Sequence, residues 1–90
     1  MWTIYEKKTV VKQIKRIPKE ILKNYELWKH IIELEGPQGL KLIKGFQDEP
    51  LKGEWKGYRS SRLNLQWSVI YKVEHKQFEI YVVELTPHKY

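Results

Sequence analysis

At 90 residues the chain has room for one domain, 1–90, with a thin core. The lack of cysteine excludes disulfides, thiol catalysis and thiolate metal sites, and 41% hydrophobic residues is too many for a disordered chain. Seventeen Lys and Arg against eleven Asp and Glu leave a net charge of +6, so the domain attracts polyanions from a distance.

The opening residues, Met1-Trp2-Thr3-Ile4-Tyr5-Glu6, lack the apolar run of an export signal. No apolar run approaches the ~18 residues of a membrane span. Small secreted domains usually carry disulfides. A soluble, cytoplasmic protein with no membrane partner is therefore expected.

Trp2 to Tyr5 alternates and predicts a first strand. Val10, Ile14 and Ile17 recur at helical spacing until Pro18, which ends one helix and opens another. Ile21, Tyr25, Trp28 and Ile32 then form one apolar stripe, stopped by Gly36-Pro37. Lys7, Lys8, Lys12, Lys15, Arg16, Lys19 and Lys23 crowd this helical hairpin, with Glu20 as the only acid among them. They read either as a solvated face or as a surface for RNA phosphates or an acidic partner.

Residues 36–53 read as a loop anchored by Leu40, Leu42, Ile43 and Phe46. Trp55 to Leu63 alternates weakly. Trp67, Val69, Tyr71 and Val73 alternate cleanly. Phe78, Ile80 and Val82 on one side, with Tyr81, Val83 and Leu85 on the other, predict a strand buried on both faces. The expected class is α+β, in the order β-α-α-β-β-β: a small, antiparallel-dominated sheet with the N-terminal αα-hairpin packed on one face. Trp28, Ile32, Val69, Tyr71, Ile80 and Val82 are the expected core.

His30, His75 and His88 show no ligand spacing, and no phosphate loop, dinucleotide fingerprint or nucleophile elbow occurs. No metal and no cofactor is predicted. Acid–base chemistry and charge stabilisation remain, and RNA cleavage needs no more. The 2′-hydroxyl of RNA attacks the adjacent phosphorus, given a base for that hydroxyl, cations for the phosphate and an acid for the leaving oxygen.

Lys52, Lys56, Arg59 and Arg62 lie close together, offset only by Glu54. Strand alternation puts Tyr58, Ser60 and Arg62 on one face and Arg59, Ser61 and Leu63 on the other. The two arginines therefore cannot both meet one ligand; one is expected at the site, the other toward solvent or a buried acid. Pro87 halts ladder pairing, and the tail His88-Lys89-Tyr90 reads either as acid and stacking ring or as an inert terminus.

The stretches Glu49-Pro50-Leu51-Lys52-Gly53, Trp55-Lys56-Gly57-Tyr58-Arg59-Ser60-Ser61-Arg62-Leu63, Val69-Ile70-Tyr71 and His88-Lys89-Tyr90 resemble the RelE/ParE toxin superfamily, its YoeB, YafQ and HigB branches in particular. The resemblance covers most of the chain. It implies a toxin of a toxin–antitoxin system: a metal-independent mRNA endonuclease, acting on the ribosome and held by a cognate antitoxin in a hetero-oligomer. It implies catalytic roles for Glu49 as base, Arg62 as the strand arginine, and His88 and Tyr90 as acid and stacking ring. RNA contacts are implied for Lys52, Lys56, Arg59 and position 68.

At that last position the chain departs from the family. Ser68 stands where these nucleases usually keep the arginine that clamps the phosphate. Either Arg59 or Arg62 substitutes, or the toxin is naturally attenuated, or the chain is an engineered inactive form. The superfamily also contains poisons of DNA gyrase without nuclease residues. A gyrase poison and a non-catalytic nucleic-acid-binding module therefore stay open as alternatives.

Overall fold

A computed structural model of the chain describes residues 1–87. The elements run β1 (Thr3–Glu6), α1 (Lys8–Ile14), α2 (Lys19–Glu35), β2 (Glu49–Pro50), β3 (Arg59–Arg62), β4 (Trp67–Glu74) and β5 (Glu79–Pro87). They build one five-stranded sheet in the order β1-β5-β4-β3-β2. β1 runs parallel to β5; every other pairing is antiparallel. The α+β class, the helical hairpin and the meander of the last three long strands are as expected.

Both helices pack on one face. The stripe Ile21, Tyr25, Trp28 and Ile32 is buried against Val69, Tyr71, Ile80 and Val82 of the central strands. The Trp28 ring anchors this layer, stacked on Tyr25 at 5.8 Å and edge-on to Tyr71 at 5.1 Å. Complete burial of such rings is worth about 1.5–3 kcal/mol each relative to exposure. α2 stops at Gly36, which adopts φ +77 and lies so close to Trp2 that a Cβ would fall 2.6 Å from the indole Nε1. Glycine is required there on both counts.

Three expectations are corrected. β2 was not anticipated: Glu49–Pro50 pairs with β3 at the sheet edge, where proline's missing N–H is tolerated. The loop before it is anchored by Leu40 and Phe46 alone, with Leu42 83% exposed. β5 is not buried on both faces. A register shift opposite Ile70/Tyr71 inserts a bulge at Val83, which resets the alternation. Leu85 thereby joins Ile80 and Val82 in the core, while Tyr81 stays accessible and Phe78 falls in the preceding turn.

α1 also seals an edge. Beyond Val82, β5 has no strand on the β1 side. There the Gln13 carboxamide donates from Nε2 to the Leu85 carbonyl (3.0 Å) and accepts the Leu85 N–H on Oε1 (3.2 Å), in place of a strand backbone.

Candidate active site on the helix-free face

The helices leave the other face of the sheet bare, and the strand register decides what stands on it. Directly paired residues share a face. Arg62 pairs with Ser68, and Ser68 with Thr86, which makes one row across β3, β4 and β5. The next row on the same face is Glu49, Ser60, Ile70 and Glu84. Glu49 and Arg62 therefore emerge on the same side in neighbouring rows.

The connection from β2 to β3 forms a wall beside them. It makes a short turn at Gly53–Trp55, with Lys52 and Lys56 exposed at its two ends. Trp55 packs edge-on against Tyr58 at 5.4 Å. Tyr58 separates two depressions. One, of about 370 Å³, is shared with Lys7, Gln13, Trp55 and Glu84; the other, of about 450 Å³, with Lys72, Glu74, Glu79 and Tyr81.

Charge divides across this face. Arg62, Lys52 and Lys56 sit on β3 and its loop, whereas Glu74, Glu79 and Glu84 occupy the side toward β5, where Lys72 pairs with Glu74 at 3.8 Å. The Tyr81 hydroxyl, bonded to Glu79 at 2.7 Å, is pushed up to about 12, chiefly by that hydrogen bond. Net positive charge is thus concentrated on the β3 side of the face.

Arg59 is not on this face. It pairs with Tyr71 on the helix side, where its guanidinium donates from Nε (3.0 Å) and Nη2 (2.8 Å) to Oδ2 of Asp48. The Asp48 side chain is only 2% exposed. Its Oδ1 accepts from Ser61 Oγ at 2.6 Å and from the Tyr71 hydroxyl. Burial is the largest single influence and lowers the Arg59 pKa, but the hydrogen bond and charge of Asp48, together with Tyr71, outweigh it and the net shift is upward. The Tyr71 hydroxyl is raised above 10.0 by burial first and by Asp48 second. The expectation that one arginine meets a buried acid is met, and the contact with RNA expected of Arg59 is not available to it here.

Ser68 lies on the Arg62 face but is 1% exposed, so as serine it offers RNA no surface. Both Arg62 and Ser68 are engaged by other groups. His88 and Tyr90 lie outside the described residues; β5 ends at Pro87, opposite Trp67. Asp48 was missed as a buried hub. Its signal was present in the sequence, since an acid next to Glu49 must take the opposite face to it in an extended segment. Among the described residues no group of three or more His, Asp or Glu could hold a metal ion. No helix of the described residues is long and apolar enough to cross a membrane.

The fold is that of the RelE and YoeB toxins. An archaeal RelE–RelB complex from Pyrococcus horikoshii OT3 matches with a TM-score of 0.76 at 27% identity, over 96% of this chain and 93% of that one. The YoeB–YefM complex from Staphylococcus aureus matches with a TM-score of 0.75 at 21% identity, over 99% of each chain. A family described as the bacterial toxin of type II toxin–antitoxin systems, YafQ, matches residues 2–90, and the chain belongs to that family. The mRNA interferase toxin YafQ of Escherichia coli K12 is 38% identical over 48 residues. That stretch is 53% of this chain and 52% of the relative, so the match spans about half the length of each.

Proposed function

We propose that this toxin is an endoribonuclease that cuts mRNA by attack of the RNA's own 2′-hydroxyl, and that a cognate antitoxin neutralises it in the cytoplasm. The observation that carries the reading is the emergence of Glu49 and Arg62 on one helix-free face, beside the exposed Lys52 and Lys56. Glu49 takes the proton of the 2′-hydroxyl. Arg62 faces the phosphate, where its planar fork suits non-bridging oxygens. Lys52 and Lys56 hold neighbouring phosphates. His88 protonates the leaving 5′-oxygen, and Tyr90 stacks on a base. Arg59 stays with Asp48, and Ser68 stands opposite Arg62 on the neighbouring strand.

The relative named an mRNA interferase favours cleavage over gyrase poisoning. The RelB and YefM complexes favour a protein partner that binds the toxin. Ribosome dependence belongs to the same reading and is tested with it. The test is single-turnover cleavage of an mRNA, free and on ribosomes, by wild type, Glu49→Gln, Arg62→Ala and His88→Ala. Each variant should lose about 10²-fold or more. Equal rates in all four would remove the assignment and return the gyrase and plain-binding readings.

A further inference from the structure

Glu49 owes its position to the residue before it. β2 holds only two residues, and its register with β3 rests on the pairs Glu49–Ser60 and Pro50–Arg59. So short a ladder at a sheet edge does not define its own register, and a slip of one residue would turn every side chain to the opposite face. Asp48 removes that freedom. Its carboxylate is buried on the helix side and takes hydrogen bonds from Arg59 and Ser61 of β3 and from Tyr71 of β4. With Asp48 fixed inward, alternation sends Glu49 outward, onto the face that carries Arg62.

We propose that Asp48 is a positioning residue for Glu49: its clamp by Arg59, Ser61 and Tyr71 fixes the register of β2 that presents Glu49 beside Arg62. The inference rests on the reading of Glu49 as the base. Asp48 itself touches no substrate. The buried hub and the reactive face are two sides of one short strand, so the stability of the first sets the geometry of the second.

The experiment is single-turnover cleavage of an RNA oligonucleotide by wild type, Asp48→Asn, Glu49→Gln and the double variant, with RNA affinity measured alongside. A base moved by about 1 Å loses on the order of 10²-fold. Asp48→Asn should therefore slow cleavage by about that factor with RNA affinity unchanged. The double variant should be no slower than Glu49→Gln alone, because a misplaced base has nothing left to lose. Losses that multiply in the double variant, or RNA affinity that falls along with the rate in Asp48→Asn, would overturn the proposal.

Ser61→Ala removes one donor of the clamp and keeps Arg59 and Tyr71. It should give a smaller loss with the same non-additivity toward Glu49→Gln, and it serves if Asp48→Asn does not fold. If Glu49→Gln cleaves like wild type, the base assignment falls, and placement is then read directly from hydrogen exchange. The Leu51 N–H donates to the Tyr58 carbonyl at 2.9 Å, just beyond the β2–β3 pairs. Its protection should fall in Asp48→Asn while β4 and β5 stay protected; unchanged protection at Leu51 would refute the positioning role.

Discussion

Arg59 and Arg62 sit on one four-residue strand and live in different surroundings. On the helix side, Arg59 is locked by a buried carboxylate and a tyrosine, and its charge is consumed by structure. On the bare side, Arg62 stands in a row with Ser68 and Thr86, a row away from Glu49. The same residue type thus stabilises one face and equips the other, and strand alternation alone assigns the roles.

The largest test of this contrast exchanges the two arginines for alanine. Arg59→Ala strands a buried carboxylate, and breaking such a pair costs about 3 kcal/mol. Arg62→Ala should cost about 1 kcal/mol or less in denaturant unfolding, yet remove about 10²-fold or more of cleavage. Comparable stability losses for both would erase the distinction between the faces.

Alkaline unfolding sharpens it next. The folded Tyr71 hydroxyl titrates above its ordinary 10.0, so the folded state keeps a proton that the unfolded chain has lost. Its contribution is fully present below pH 10 and is lost as pH rises beyond that toward the folded value, with a slope of about 1.36 kcal/mol per pH unit. Tyr71→Phe should cost about 1.5–3 kcal/mol at neutral pH, the worth of a hydrogen bond to a charged group. It should also flatten the alkaline limb by one proton. An alkaline limb as steep as wild type would show that Tyr71 does not titrate with unfolding.

The smallest effect belongs to the loop. Lys52→Ala and Lys56→Ala should leave the thermal midpoint in place, since both side chains are exposed. Each should reduce the salt dependence of single-stranded RNA binding by about 0.7 in log–log slope, one phosphate's share. An unchanged slope would place the RNA elsewhere.

Much of the fold was legible because its signals are local and periodic. The stripe from Ile21 to Ile32 reads at once as a helix face, and Trp67 to Val73 as a strand. The β5 pattern misled because a bulge at Val83 breaks the period of two, and a single inserted residue leaves no mark in a short apolar run. β2 was invisible for a different reason. Two residues, one of them proline, carry no pattern of their own, and tertiary contacts through Asp48 hold them. The opposition of Arg59 and Arg62 could be read from alternation, but not which acid Arg59 would find, because that pairing depends on how the loop returns. The roles of His88 and Tyr90 rest on residue type and on the resemblance.

β1, the first strand made, pairs with β5, the last, and β5 lies between β1 and β4 at the heart of the sheet. The contact that completes the sheet is therefore also the most distant along the chain, and such pairings form slowly. During synthesis the early strands wait for a partner that has not yet emerged. Until β5 arrives, the Thr86 end of the Arg62 row does not exist and Val69 lacks Leu85 behind it. The topology therefore leaves the Arg62 row incomplete until β5 has joined the sheet.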